Sequence, residues 1–162
     1  MCSSDLAADP PGDELVNIAQ IMQKSALLLV TRKSSGIEHP RDMTGRRVGI
    51  WKGDFTIPFL AFFRKEEIRP EIVQINYSTA PFLRGAVEVS SVMFYNEYHR
   101  LREAGTMLED LRTFSLADFG MNFPEDGVYA TAATRDRRPE VCKAVVVASL
   151  RGWAYEIGRA PV

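Results

Sequence analysis

Two stretches of this chain put aromatic and polar side chains where a small molecule could be gripped. The first is Trp51-Lys52-Gly53-Asp54-Phe55. It follows an apolar run and precedes a helical stripe. Gly53 permits a tight turn, and a helix start behind it offers unpaired backbone amides suited to an anionic or polar group. Trp51 could stack on a planar ligand. The same residues also fit a plain turn, with Gly53 and Asp54 capping the helix and Trp51 in the core.

The second stretch is Tyr95-Asn96-Glu97-Tyr98-His99. It offers a ring face, an amide and a carboxylate at one point. That mixture suits a nitrogen heterocycle, because Glu97 can accept from a ring N–H or an amino group. The plainer alternative has Asn96 as a helix cap, Glu97 as a favourable first-turn charge and Tyr98 in the core. Phe123-Pro124-Glu125-Asp126-Gly127 reads as a crossover loop, with Glu125 or Asp126 facing a cleft. Gln20, Gln23 and Ser25 flank a further strand boundary and could hydrogen-bond a ligand.

Catalytic machinery is not evident. His39 and His99 are the only histidines, and neither sits in a metal-ligand spacing, so no metal is expected. There is no nucleophile elbow, no phosphate-binding loop and no dinucleotide fingerprint. No cofactor is implied. Cys2 and Cys142 are too few and too far apart for a disulfide scaffold, and Cys142 reads as a small core residue on a helix.

The elements that must position these groups follow from hydrophobic period. Leu15 to Met22 could be a helix turn or a strand, and the strand is favoured because its apolar residues hold no helical period. Ala26 to Val30 is a short continuous apolar run, as in a strand buried on both faces. Arg46 to Trp51 is the next strand. Phe55, Phe59, Phe62 and Phe63 then form a helical stripe within Phe55 to Glu67, starting near Ile57 or Pro58 because proline fits only the first turn. Glu71 to Tyr77 is β-rich, and Ala80 to Arg84 is one helical turn. Val87 to Tyr95 is a strand, Glu97 to Ala104 a helix with Gly105 behind it, Gly127 to Thr134 a strand and Arg138 to Ile157 a long helix. Strands alternating with helices predict an α/β fold, a mostly parallel sheet flanked by helices. Ligands of such sheets bind beyond the carboxyl ends of the strands.

The chain has 162 residues, 46% hydrophobic and 25% charged, enough for a real core. A formal net charge of −1 argues against nucleic acid or an anionic membrane as a partner. No apolar run of about 18 residues exists, so direct membrane insertion is not expected. Met1 to Leu6 read as foreign, since Cys-Ser-Ser-Asp-Leu resembles a translated sequencing-adapter end. Residues 1–12 are accordingly expected to be an artefactual or linker tail, with Asp9 to Asp13 a turn.

Several segments together resemble a known family. They are Val16 to Gln20, Gln23-Lys24-Ser25, Arg32 to Ile37, Gly45 to Trp51, Tyr95 to Tyr98, Asp126 to Tyr129 and Ser149 to Trp153. Their order and spacing are similar to the substrate-binding proteins of ABC transporters. The subgroup is the one shared by nitrate, sulfonate and taurine binders and by thiamine-pyrimidine precursor proteins. The resemblance runs from about Asp13 to the end of the chain. It implies a type II periplasmic-binding-protein-like fold, two lobes that close on a small-molecule ligand, and a membrane permease as partner. It also implies a periplasmic or lipid-anchored extracytoplasmic location.

Residues 39–116 would form lobe two, and 13–38 with 117–162 parts of lobe one and the crossovers. Lobe one would be incomplete. Trp51, Lys52, Gly53, Asp54 and Phe55 would face Tyr95, Asn96 and Glu97 across a ligand, a planar heterocycle such as a thiamine pyrimidine precursor, or a small anion. The family also holds an enzyme branch, a pyrimidine synthase, whose dense cysteine cluster falls in the segment matching Gly120 to Thr131. That segment has no cysteine here, which argues against the enzyme. A ligand-sensing module of a regulator is a further use of the same fold.

Overall fold

The computed structural model describes residues 14–123 and 125–157. The expectations for the tail and for Asp9 to Asp13 lie outside the described residues. The chain divides into two units. One comprises Met1–Gln23 with Pro124–Val162, the other Lys24–Phe123.

The Lys24–Phe123 unit carries a five-stranded sheet in the order β4-β3-β5-β2-β6. Its strands are β2 (Leu27–Arg32), β3 (Arg47–Trp51), β4 (Glu71–Ile75), β5 (Val89–Met93) and β6 (Leu111–Ser115). Three helices accompany them: α1 (Thr56–Lys65), α2 (Ala80–Leu83) and α3 (Glu97–Glu103). β3 pairs in parallel with β4 and with β5, while β2 is antiparallel to both β5 and β6. The mostly parallel sheet expected from the alternation is therefore mixed. β3, β4, β5 and β6 share one direction, and β2 alone is reversed. The reason is local: no helix intervenes before β2, so it is free to slot between β5 and β6 against their direction.

Burial explains why these segments are strands. Leu27 to Val30 and Val89 to Met93 are buried without interruption, as centre strands must be. Leu28 and Val30 pack with Val92, Phe82, Leu101 and Leu111 in one cluster, which seats α2 and α3 on that face. Arg32 closes it. Its guanidinium lies 4.5 Å over the Phe82 ring and donates to the carbonyls of Phe82 and Leu83. α1 packs on β3 through its buried phenylalanines, and Phe62 meets Phe119 edge-on at 5.3 Å. Gly49 sits where a Cβ would come within 3.1 Å of Ile75 and 3.2 Å of Val87, so the sheet needs glycine there.

The other unit pairs β1 (Leu15–Met22) with β7 (Glu125–Thr131) in an antiparallel ribbon, bulged between Asn17 and Ala19. α4 (Ala132–Arg137) and α5 (Pro139–Ile157) accompany it. None of its described residues is buried, and Val145, Leu150, Trp153 and Tyr155 of α5 are exposed. Cys142, expected in the core, is half-buried on α5.

Two further expectations change. Glu125 is in a strand and not a loop, paired with Met22. β6 and α4 were not anticipated. β6 buries only Leu111 and Phe114, three apart, which hides its period of two, and α4 buries nothing.

Candidate functional site

Strand direction decides which predicted residues meet. β3, β4, β5 and β6 end at the same rim of the larger unit, and the reversed β2 begins there. Phe94 N–H donates to the Ala26 carbonyl at 2.9 Å, joining the end of β5 to the start of β2. Trp51 to Phe55, Tyr95 to Glu97 and Ser25 all lie at this rim. Gln20, Gln23 and Glu125 belong to the other unit.

The first loop is held by its backbone. Lys52 N–H donates to the Ile75 carbonyl at 3.2 Å, and Thr56 N–H to the Gly53 carbonyl at 3.0 Å. Thr56 Oγ1 also donates to the Trp51 carbonyl. Gly53 has φ +84°, with open space where a Cβ would be. Lys52, Gly53 and Asp54 are exposed and Phe55 is half-buried. Asp54 makes no side-chain cap; α1 starts after Phe55 without one.

Trp51 departs from the stacking role expected of it. It is only 1% exposed. Phe55 and Phe59 meet its ring edge-on at 5.8 and 6.2 Å, and Tyr77 lies at 5.3 Å with a 42° tilt. β3 ends with the side chain turned into the core, so no ring face is open. Its Nε1 is buried and has no hydrogen-bond partner. An unmet buried donor costs on the order of 1–3 kcal/mol.

Glu97 also departs from expectation. It is 2% exposed, and its oxygens are engaged by its own segment. Oε2 accepts the Met93 backbone N–H at 3.0 Å and Oε1 accepts from the Asn96 amide at 3.1 Å. Two residues on one turn pull the carboxylate inward, so it supports the rim from below. Asn96 starts α3 without a side-chain cap, and its amide nitrogen donates to Glu97.

The exposed aromatic surface comes from neighbours. Phe94 is 54% exposed and stacks on Tyr98 at 5.8 Å and 23°, with His99 edge-on at 5.6 Å. Tyr95 is 37% exposed and Tyr77 is 47% exposed. Phe94 and Tyr77 were not singled out from sequence. Sequence placed both inside strands, Glu71 to Tyr77 and Val87 to Tyr95, whereas each follows closely on the last residue of its strand.

In the smaller unit, Gln20 is internally satisfied. Oε1 accepts from Asn17 at 2.9 Å, and Nε2 donates to the carbonyls of Met22, at 3.0 Å, and Glu125. Gly127 leaves the room this pair needs, since a Cβ there would stand 3.0 Å from the Asn17 amide. Gln23 donates to the Gln20 carbonyl. Ser25 is buried, and its N–H donates to Asn122 Oδ1 at 2.7 Å. Among the described residues no group of three His, Cys, Asp or Glu side chains could hold a metal, and no helix is long and apolar enough to cross a membrane.

A mixed α/β sheet with one reversed strand and a polar-aromatic rim at the shared strand ends is the fold of type II periplasmic binding proteins, and the solved structures agree. The aliphatic sulphonate binding protein SsuA of Escherichia coli is similar with a TM-score of 0.62 at 14% identity, over 84% of this chain and 47% of that one. A substrate-binding protein of an ABC uptake transporter from Streptococcus pneumoniae, with bound histidine, gives 0.60 at 23%, over 91% and 60%. A periplasmic binding protein from Brucella ovis, with glutathione bound, gives 0.57 at 12%, over 73% and 37%. The sequence profile described as NMT1/THI5 like matches residues 4–159, so the chain belongs to the NMT1/THI5-like family. No curated protein sequence matches the chain. The chain spans 37%, 47% and 60% of the lengths of these three solved relatives.

Proposed function

We propose that this protein is the solute-binding component of an ABC importer, working outside the cytoplasm, and that its ligand is a small planar heterocycle of the thiamine-pyrimidine type. Family membership and the likeness to binding proteins support the general reading. The exposed aromatic rings at the carboxyl rim carry the ligand class. Phe94, Tyr95 and Tyr77 present flat apolar surface on the rim that also carries the exposed Lys52 and Asp54. Flat rings next to a few hydrogen-bonding groups hold a flat polar ligand better than a compact anion. Ligand binding shifts the protein to the state that the membrane permease accepts.

Thermal unfolding with 4-amino-5-hydroxymethyl-2-methylpyrimidine, riboflavin, taurine and nitrate tests this. A heterocycle at a hundredfold excess over its Kd adds about 2.7 kcal/mol of stability. Stabilisation by taurine or nitrate alone replaces the heterocycle with a small anion. No stabilisation by any of them removes the ligand class.

A further inference from the structure

Trp51 carries a donor that the protein leaves unused. Its indole Nε1–H is buried without a partner, on the last residue of β3, at the rim where the candidate site lies. An indole N–H can only donate, and buried donors in folded proteins are nearly always paired. An orphan on the last residue of a strand that ends at a candidate ligand rim points to a partner that comes from outside the chain.

The surroundings are unequal. Phe59, fully buried on α1, anchors the indole from within. Tyr77 touches it from the loop after β4 and is 47% exposed, while Phe55, half-buried, contacts both rings, at 5.8 Å from Trp51 and 6.4 Å from Tyr77. Tyr77 and Phe55 are thus the more exposed of the three rings that meet the indole. Beside them, the space next to Gly53 is open.

We propose that the Trp51 Nε1–H is a specificity-determining donor to the ligand, taking an acceptor lone pair on the edge of a planar ring, a ring nitrogen or ring carbonyl, that enters as Tyr77 shifts aside. This rests on the ligand class proposed above and narrows it. The heterocycle must present an acceptor toward β3, and Trp51 reads it with its edge and not its face.

The Trp153→Phe variant leaves Trp51 as the single tryptophan, since the chain has two. Tryptophan labelled with nitrogen-15 then gives one indole signal. In the free protein it should sit at the position of an unbonded indole, and it should move downfield on titration with 4-amino-5-hydroxymethyl-2-methylpyrimidine. Trp51→Phe, which keeps an aromatic ring and removes the donor, should bind that pyrimidine about tenfold more weakly.

A signal already at the bonded position without ligand means that a buried water satisfies the group, and overturns the proposal. So does a signal that stays still while the pyrimidine binds, or wild-type affinity in Trp51→Phe. If Trp51→Phe does not fold, the labelled Trp153→Phe protein decides alone. A wild-type protein that binds no heterocycle overturns the ligand class and this inference with it. Binding to wild type with either failure above overturns this inference only.

Discussion

Glu97 reaches four residues back along the chain and accepts the backbone N–H of Met93 at 3.0 Å, closing the end of β5 from beneath. The bond lies in a fully buried setting, where a charge-assisted contact is strong and its loss leaves an amide unmet. Glu97→Ala should cost about 2–3 kcal/mol in urea unfolding. An unchanged midpoint would show that the carboxylate is free for ligand after all. Glu97→Gln should cost less, because its carbonyl oxygen can still accept from Met93.

The two glycines of β3 and its loop should fail for different reasons. Gly49→Ala drives a methyl into Ile75 and Val87 and should cost about 1–3 kcal/mol as overpacking. Gly53→Ala meets open space but must hold φ near +84°, a strain of roughly 1–2 kcal/mol. A Val87→Ala change should relieve the first in part, since Ile75 remains, and leave the second untouched. Thermal unfolding of the single and double variants separates them.

Acid should loosen the larger unit through two carboxylates. Glu88 accepts the Arg47 backbone N–H at 3.2 Å and Arg46 Nη1 at 2.9 Å, and the backbone bond first, then the guanidinium, hold its carboxyl below the usual glutamate range. Asp42 accepts the backbone N–H groups of His39 at 2.8 Å and Glu38 at 2.9 Å, which hold it low in the same way. Both bind protons more readily in the unfolded chain. Their stabilisation is therefore complete above the ordinary carboxylate range and is lost as pH falls through the depressed values. The unfolding midpoint should drop below roughly pH 4, and Glu88→Gln should flatten that drop. A slope unaltered by this change would remove Glu88 from the account.

Amide hydrogen exchange should differ between the two units. Every buried residue described lies between Ser25 and Leu116, and none in β1, β7, α4 or α5. Opening free energy follows buried apolar contact. Amides of Leu27 to Val30 and Val89 to Met93 should exchange slowest, and those of β1 and β7 much faster. Equal protection in both would contradict the burial pattern.

Much of the fold was legible because periods and punctuators agreed. β1 was placed to the residue, Leu15 to Met22, because its apolar residues refuse a helical spacing. α1 was found from Phe59, Phe62 and Phe63, and it starts at Thr56, just before the Ile57 or Pro58 start that the proline suggested. Direction was not legible: a strand's residues do not say which way its neighbours run, and β2 is reversed. The site was legible as two loops but not residue by residue. Sequence types made Trp51 and Glu97 attractive for their chemistry, and burial took both away from the surface. Phe94 and Tyr77 face outward because each strand ends just before them, a fact that only the pairing supplies.

The reversed strand has a consequence for how the larger unit can be handled. Because β2 enters at the rim where β6 leaves, Ser25 and Asn122 meet, with 2.7 Å between the backbone nitrogen of one and the side-chain oxygen of the other. Lys24 and Asp118 form an ion pair at 2.7 Å beside them. Beginning and end of this stretch are thus neighbours, stitched by side chains, and the span between is unbroken. Such a stretch can be excised, grafted into a host loop or reopened elsewhere with its ends fused, and each of these leaves every one of its strands uncut.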